Sequence, residues 1–265
     1  MISRTCPVFL NRRDAGRHVA LALHSCGKRD DVVVIALARG GIQVGLEVAY
    51  VLRARLDIVA VGRLCLSRVD ATQVGTISGS GACVFDGAIL GRGAVSAVQL
   101  DRAIRHERAA IARVNHLVRG FVTPVPLRGR SVIVVGDGLD DEDILRAALL
   151  EVHLACPGHV TIAAPVLQCG IRGQLGDLAN ASVAVREPAA FRGGGAYYRD
   201  CRPISDAEFV HDLEAARSWQ CALASHANPG GNVVHRQAAL LSGVARRVAI
   251  ATSLAVGQRI SSVFR

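Results

Sequence analysis

Two segments constrain this chain more than any other feature. Residues 32–45 read VVVIALARGGIQVG, and residues 132–145 read VIVVGDGLDDEDIL. Each opens on an unbroken apolar run rich in β-branched side chains, turns through glycine, and continues as a helix-compatible stretch. A run without polar alternation suits a strand covered on both faces, as in a parallel sheet. Residues 56–61 (LDIVAV), apolar apart from Asp57, read as a second strand after the helix-compatible stretch. The resulting βαβ unit implies a right-handed crossover.

The remaining pattern agrees. Helices are predicted over 12–25, 42–53, 96–118, 141–154 and 205–216, and strands over 32–37, 56–61, 131–135, 159–165 and 182–185. Residues 75–87, rich in turn formers, predict a hairpin or flap. Ser205 and Glu208 supply the two ends of a capping box. Strands alternating with helices predict an α/β fold: an open, mostly parallel sheet with helices on both faces. Ligands of such sheets sit beyond the carboxyl ends of the strands. Both Gly-rich turns lie there.

Charge divides the chain. From residue 216 to 265 there is no Asp or Glu, whereas Arg217, Arg236, Arg246, Arg247, Arg259 and Arg265 account for six of the nine excess positive charges. The expected organisation is one domain over 8–215 and a basic, helical C-terminal extension over 216–265, with a turn at 228–232 and a helix over 233–256. Lys28 is the sole lysine, so the arginine excess carries little weight as a nucleic-acid signal. No apolar run reaches the length of a membrane span, because Arg246 and Arg247 interrupt residues 238–256. The eight cysteines include no CxxC pair and no disulfide framework, and the first residues carry no leader pattern. A reduced, cytoplasmic protein is the expectation.

The turns carry the candidate chemistry. Gly40 and Gly41 let backbone N–H groups approach an anion at a helix N-terminus, and Arg39 adds a phosphate-binding guanidinium. The same pattern also fits an ordinary βα turn. In the second turn, five carboxylates fall between Asp137 and Asp143. Asp140 can be the N-cap of the following helix, acids in its first turn complement the dipole, and a clustered acidic turn can hold Mg²⁺. These acids repel a bare phosphate. His153, Cys156 and His159 lack zinc-site spacing.

These segments together resemble the type I phosphoribosyltransferase family, in particular a bacterial group with an Arg-Gly-Gly turn after the first strand. Ala38 stands where that group has proline. Residues 9–15 (FLNRRDA), 56–64, 119–138 and 197–208 (YYRDCRPISDAE) are similar to further parts of the group, so the resemblance covers about 8–213. It implies that Arg39, Gly40 and Gly41 bind pyrophosphate, with Arg63 of a mobile loop as a further contact. It implies that Asp137 holds the ribose, serves catalysis and faces Mg²⁺. Gly138, Leu139, Asp140 and Asp141 occupy the turn that cradles a 5′-phosphate in the family. The departures are local. Gly136 replaces the first of two acids, Asp140 and Asp141 replace small or hydroxyl residues, Glu142 replaces glycine, and Ile144 replaces the closing hydroxyl. The mobile loop has Gly62-Arg63 for an Arg-Lys pair and Asp70-Ala71 for a Pro-Glu pattern. Tyr197 and Tyr198 are candidates either to stack on a base or to pack.

The function implied is transfer of ribose 5-phosphate from phosphoribosyl pyrophosphate to a nucleobase-like acceptor, with Mg²⁺ as cofactor. A catalytically inactive relative that binds an anionic small molecule or a protein is the alternative. A homodimer fits either. Nucleic-acid binding through the Arg-rich tail ranks third, since that tail offers few aromatics and no motif.

Overall fold

The computed structural model describes residues 8–23, 31–66, 72–90 and 95–227. Residues 67–71 of the mobile loop, the turn at 228–232, the helix over 233–256 and most of the Arg-rich tail lie outside the described residues.

The chain opens on α1 (Arg12–Ala22), whose first turn is capped by Asn11 accepting from the Asp14 N–H. Next come β1 (Val32–Leu37), α2 (Gly41–Leu52) and β2 (Arg55–Val59). The chain then leaves the main sheet through β3 (Val61–Cys65), β4 (Gln73–Ser78), β5 (Cys83–Phe85) and a short α3 (Gly87–Leu90). It returns along the long α4 (Ala97–Phe121), which Ser96 and Gln99 start with a capping box. There follow β6 (Ser131–Val135), α5 (Glu142–His153), β7 (His159–Val166), α6 (Ile171–Leu175), β8 (Ala181–Arg186) and α7 (Asp206–Ala227).

Five strands form one parallel sheet in the order β2-β1-β6-β7-β8. All six residues of β1 are buried, as its apolar run requires. Its side chains alternate between two cores. Val32, Val34 and Ala36 pack with α1, α2 and α7 residues such as Val19, Leu46 and Phe209. Val33, Ile35 and Leu37 pack with α5 and α6 residues such as Leu145, Leu149 and Ile171. Helices therefore cover both faces.

The expected single strand over 56–61 is divided. Residues to Val59 pair with β1, whereas β3 to β5 form a separate antiparallel sheet. That flap has its own core, in which Leu64, Val74 and Ile77 meet Leu100 and Ile111 of α4. The helix expected to end at Ala216 continues to Ala227. Its extra turns are anchored where Trp219 donates to the Ala54 carbonyl at 2.9 Å and Gln220 donates to the Leu56 carbonyl at 2.8 Å.

One buried acid ties the flap connection to the sheet. Asp57 accepts from Arg119 at 2.6 Å and from the Val125 N–H at 3.1 Å. Arg119 is 38% exposed and keeps access to water, but the buried Val125 N–H would lose its acceptor, so Asp57→Ala is expected to lower unfolding stability by about 2 kcal/mol. Urea denaturation checks this; a midpoint within error of the parent would show that the pair contributes nothing.

Candidate functional site

The carboxyl ends of β1 and β6 lie side by side, with Ala36 in register with Val135. The two turns are therefore brought together as expected. The Val135 carbonyl stands 2.8 Å from where a Cβ on Gly41 would lie, and a Cβ on Gly40 would overlap the Asp137 carboxylate. Glycine is needed at both positions for this close approach, not for an unusual φ. The Ala38–Arg39 peptide is cis.

Between the turns lies a cleft of about 170 Å³, lined among others by Ala38, Arg63, Asp137, Gly138, Leu139 and Asp141. Beside it, Arg39 lies in the turn before α2, Gly40 is the N-cap of that helix and Gly41 its first residue. The Arg39 guanidinium ion-pairs with Asp206 and lies over the Phe209 ring, 5.1 Å from its centroid. Asp206 is highly exposed, and exposed pairs are weak. Gly138 is pressed against Gly194, whose Cα would lie 2.9 Å from an added Cβ. Leu139 is buried and donates its N–H to the Val166 carbonyl at 3.0 Å.

Asp137 is held from several sides. Arg12 of α1 donates from Nε to Asp137 Oδ2 at 2.7 Å and from Nη1 to the Arg202 carbonyl at 2.9 Å. The Tyr198 hydroxyl donates to the Asp137 carbonyl. Burial opposes a charged Arg12, but the hydrogen bond and charge of Asp137 more than offset it and hold its pKa above the ordinary value. Burial, then the Asp137 charge, pushes the Tyr198 phenol far up, so it remains a donor across the accessible range.

Nothing in the local pattern around Arg12 points to a place in this site; its segment stands out solely as an opening similar to the bacterial group's. Tyr197 and Tyr198 are both buried, packed with Phe9 and Val166. Packing, rather than base stacking, accounts for them.

At the acidic end, Asp141 is the N-cap of α5. Its Oδ1 accepts the Ile144 N–H at 3.1 Å. Its Oδ2 accepts from Arg63 Nε at 3.2 Å and Nη2 at 3.0 Å. A helix N-terminus ordinarily offers its free N–H groups and dipole to an anion. Here the chain's own carboxylate takes that seat, and the flap arginine closes over it. Around it, partial burial and then the charges of Asp141, Glu142 and Asp86 raise the Asp143 pKa. Asp140 is raised as well, chiefly by desolvation of its carboxyl and then by Asp141, although much of the residue is exposed.

The Mg²⁺ implied by resemblance meets a poor fit. Gly136 stands at the first acid position, and the Asp137 carboxylate is already paired with a guanidinium. Among the described residues no three His, Cys, Asp or Glu side chains converge to hold a metal. His153 instead pairs with the Leu178 carbonyl at 2.9 Å, and Cys156 and His159 are exposed.

Sheet order, helix placement and the paired turns define a phosphoribosyltransferase-like α/β fold. Comparison with known proteins agrees. Two curated Mycobacterium tuberculosis proteins, named "Putative phosphoribosyl transferase Rv0571c" (strain H37Rv) and "Putative phosphoribosyl transferase MT0597" (strain CDC 1551), are each 29% identical over 209 residues, or 79% of this chain. The match spans 47% of those relatives' length. The crystal structure of TT1426 from Thermus thermophilus is similar with a TM-score of 0.63 and 29% identity, covering 78% of this chain and 97% of that one. No family model matches the chain. Among the described residues, no helix is long and apolar enough to cross a membrane.

Proposed function

We propose that the cleft binds phosphoribosyl pyrophosphate and transfers its ribose 5-phosphate to a nucleobase-like acceptor. The observation that supports this is the junction of the Arg39-Gly40-Gly41 turn with Asp137, which puts an anion-binding helix start against an acid suited to ribose hydroxyls. Pyrophosphate would sit over the Gly40 and Gly41 N–H groups with Arg39, and Arg63 would swing from Asp141 to meet it. Asp137 would hold the ribose. An acceptor ring nitrogen attacks C1, the C1–O bond to pyrophosphate breaks, pyrophosphate departs with the electron pair, and the acceptor nitrogen passes its proton to solvent. Fixed donors on the departing charge supply the main stabilisation.

A second reading rests on Asp141. With its own carboxylate at the α5 N-terminus, the chain fits a non-catalytic relative that binds an anionic small molecule through the Arg39 turn alone. A pyrophosphate-release assay with the donor and a panel of nucleobases separates the two. Release dependent on one acceptor supports transfer. Donor binding with no release under any acceptor leaves the binding module.

Arg39 has to leave Asp206 to meet a ligand. Removing that exposed competitor by Asp206→Asn is expected to tighten pyrophosphate binding roughly two- to fivefold, the scale of a surface ion pair. Calorimetric titration reads it, and unchanged affinity would show that Arg39 is not engaged by the ligand.

A further inference from the structure

Asp137 poses an electrostatic problem. Its carboxylate lies against Gly40, so any anion placed over the Gly40 and Gly41 N–H groups meets a fixed negative charge at close range. A divalent cation bridging carboxylate and ligand is one physical solution, since Mg²⁺ is commonly held by one or two carboxylates together with substrate phosphates. This chain has another solution in place. Arg12 reaches Asp137 Oδ2 from behind, at 2.7 Å, with its side chain only 12% exposed. It does not line the cleft itself; it lines a neighbouring cavity of about 190 Å³ with Asn11, Arg13, Gln43 and Arg202.

Three observations show that the guanidinium is built in rather than incidental. Its second contact, from Nη1 to the Arg202 carbonyl, fixes the guanidinium at another nitrogen. Tyr198 holds the Asp137 backbone carbonyl, which fixes the stem from which the paired carboxylate extends. The helix carrying Arg12 is packed into the core through Ala15, Val19 and Ala20. A planar, permanently charged guanidinium suits a half-buried carboxylate better than an ammonium does.

Resting on the pyrophosphate reading above, we infer that Arg12 is the resident counter-ion of Asp137 and stands in for a divalent cation in this cleft, so that anion binding there does not depend on Mg²⁺. Arg12 acts through Asp137 and is a positioning residue; it does not touch the ligand.

Inorganic pyrophosphate titrated calorimetrically into the full chain, in EDTA and in millimolar Mg²⁺, tests this. The parent is expected to bind with affinities that agree within about twofold in the two media. Arg12→Gln is expected to lose about tenfold in EDTA, the scale of one charge-assisted hydrogen bond, and to recover most of it in Mg²⁺. Arg12→Lys, which keeps a cation, should stay near the parent. A purely structural role for Arg12 would weaken binding equally in both media and so overturn the inference, as would a parent that binds only with Mg²⁺.

A second arm needs no pyrophosphate. Water-proton relaxation with Mn²⁺ on the unliganded parent should show no metal that Asp137→Asn removes; a site lost in that variant overturns the inference. Absence of pyrophosphate binding in both media would defeat the pyrophosphate reading instead, while a Mn²⁺ site at Asp137 would still overturn the role of Arg12.

Discussion

Asp141→Ser should raise the affinity of the cleft for ribose 5-phosphate by about tenfold or more. Asp141 does two jobs that serine separates. As an N-cap its Oδ1 accepts the Ile144 N–H, and serine caps about as well as aspartate. As a charge it fills the helix start and engages Arg63 through Oδ2. Serine keeps the first and removes the second, taking the nearest carboxylate off the helix start and leaving Arg63 without its partner Asp141. An anion at a partly buried helix terminus is worth up to roughly 2 kcal/mol, and about 1.4 kcal/mol is tenfold in affinity. The parent should bind ribose 5-phosphate poorly, because the seat is taken and Asp140, Glu142 and Asp143 surround it. Calorimetry with a thermal melt as control reads the result. Unchanged affinity with α5 intact would mean that Asp141 serves as a cap alone and that the phosphate end is lost for another reason.

Gly40→Ala should disable the other half of the cleft, lowering pyrophosphate affinity on the order of a hundredfold, since reshaping a site by a fraction of an ångström can cost that much. The added Cβ would overlap the Asp137 carboxylate, with even Oδ1 at 2.8 Å. A flexible side chain would swing aside. Asp137 is restrained by Arg12 and, through its backbone, by Tyr198, so the 38–41 turn has to move instead. Gly40 has an ordinary helical φ of −60°, which excludes backbone strain as the cause. Overpacking of this kind costs about 1–3 kcal/mol of stability. The double variant Gly40→Ala with Asp137→Ser should recover that stability, because the clash and its relief act at one contact. If the double variant is no more stable than the single one, Asp137 is not what the new methyl meets.

Much of this architecture is legible in the sequence because burial on both faces forces apolar runs. The strands β1, β6 and β7 can be read from residues 32–37, 131–135 and 159–165 almost to the residue. Residues 56–61 mislead for the same reason. An apolar run shows that a segment is covered, not by which sheet, so the transfer from β2 to β3 around Ala60 leaves no mark. Likewise, the helix period of α7 persists past Ala216, and nothing local announces whether such a helix stops. The two turns can be paired from their shared position after buried strands.

The ion pairs that decide the behaviour of the cleft cannot. Arg12 and Asp137 are 125 residues apart, and Arg63 and Asp141 are 78 apart. The acidic run from Asp137 to Asp143 is visible as a conflict with phosphate binding. That one of its members occupies the anion seat itself depends on the Asp141 side chain folding back onto Ile144, a rotamer choice no composition reveals. The basic segment over 216–265 remains, as a separate extension, a proposal; its first residues continue α7.

Calorimetric titration of phosphoribosyl pyrophosphate, with the parent chain beside Arg39→Ala, decides whether the Arg39 turn takes this donor. Saturable binding to the parent is expected, with a loss of on the order of a hundredfold in the variant, as for a charge-assisted bidentate phosphate contact together with the site it organises. No heat from the parent at millimolar donor, or equal affinity in the two proteins, would contradict it.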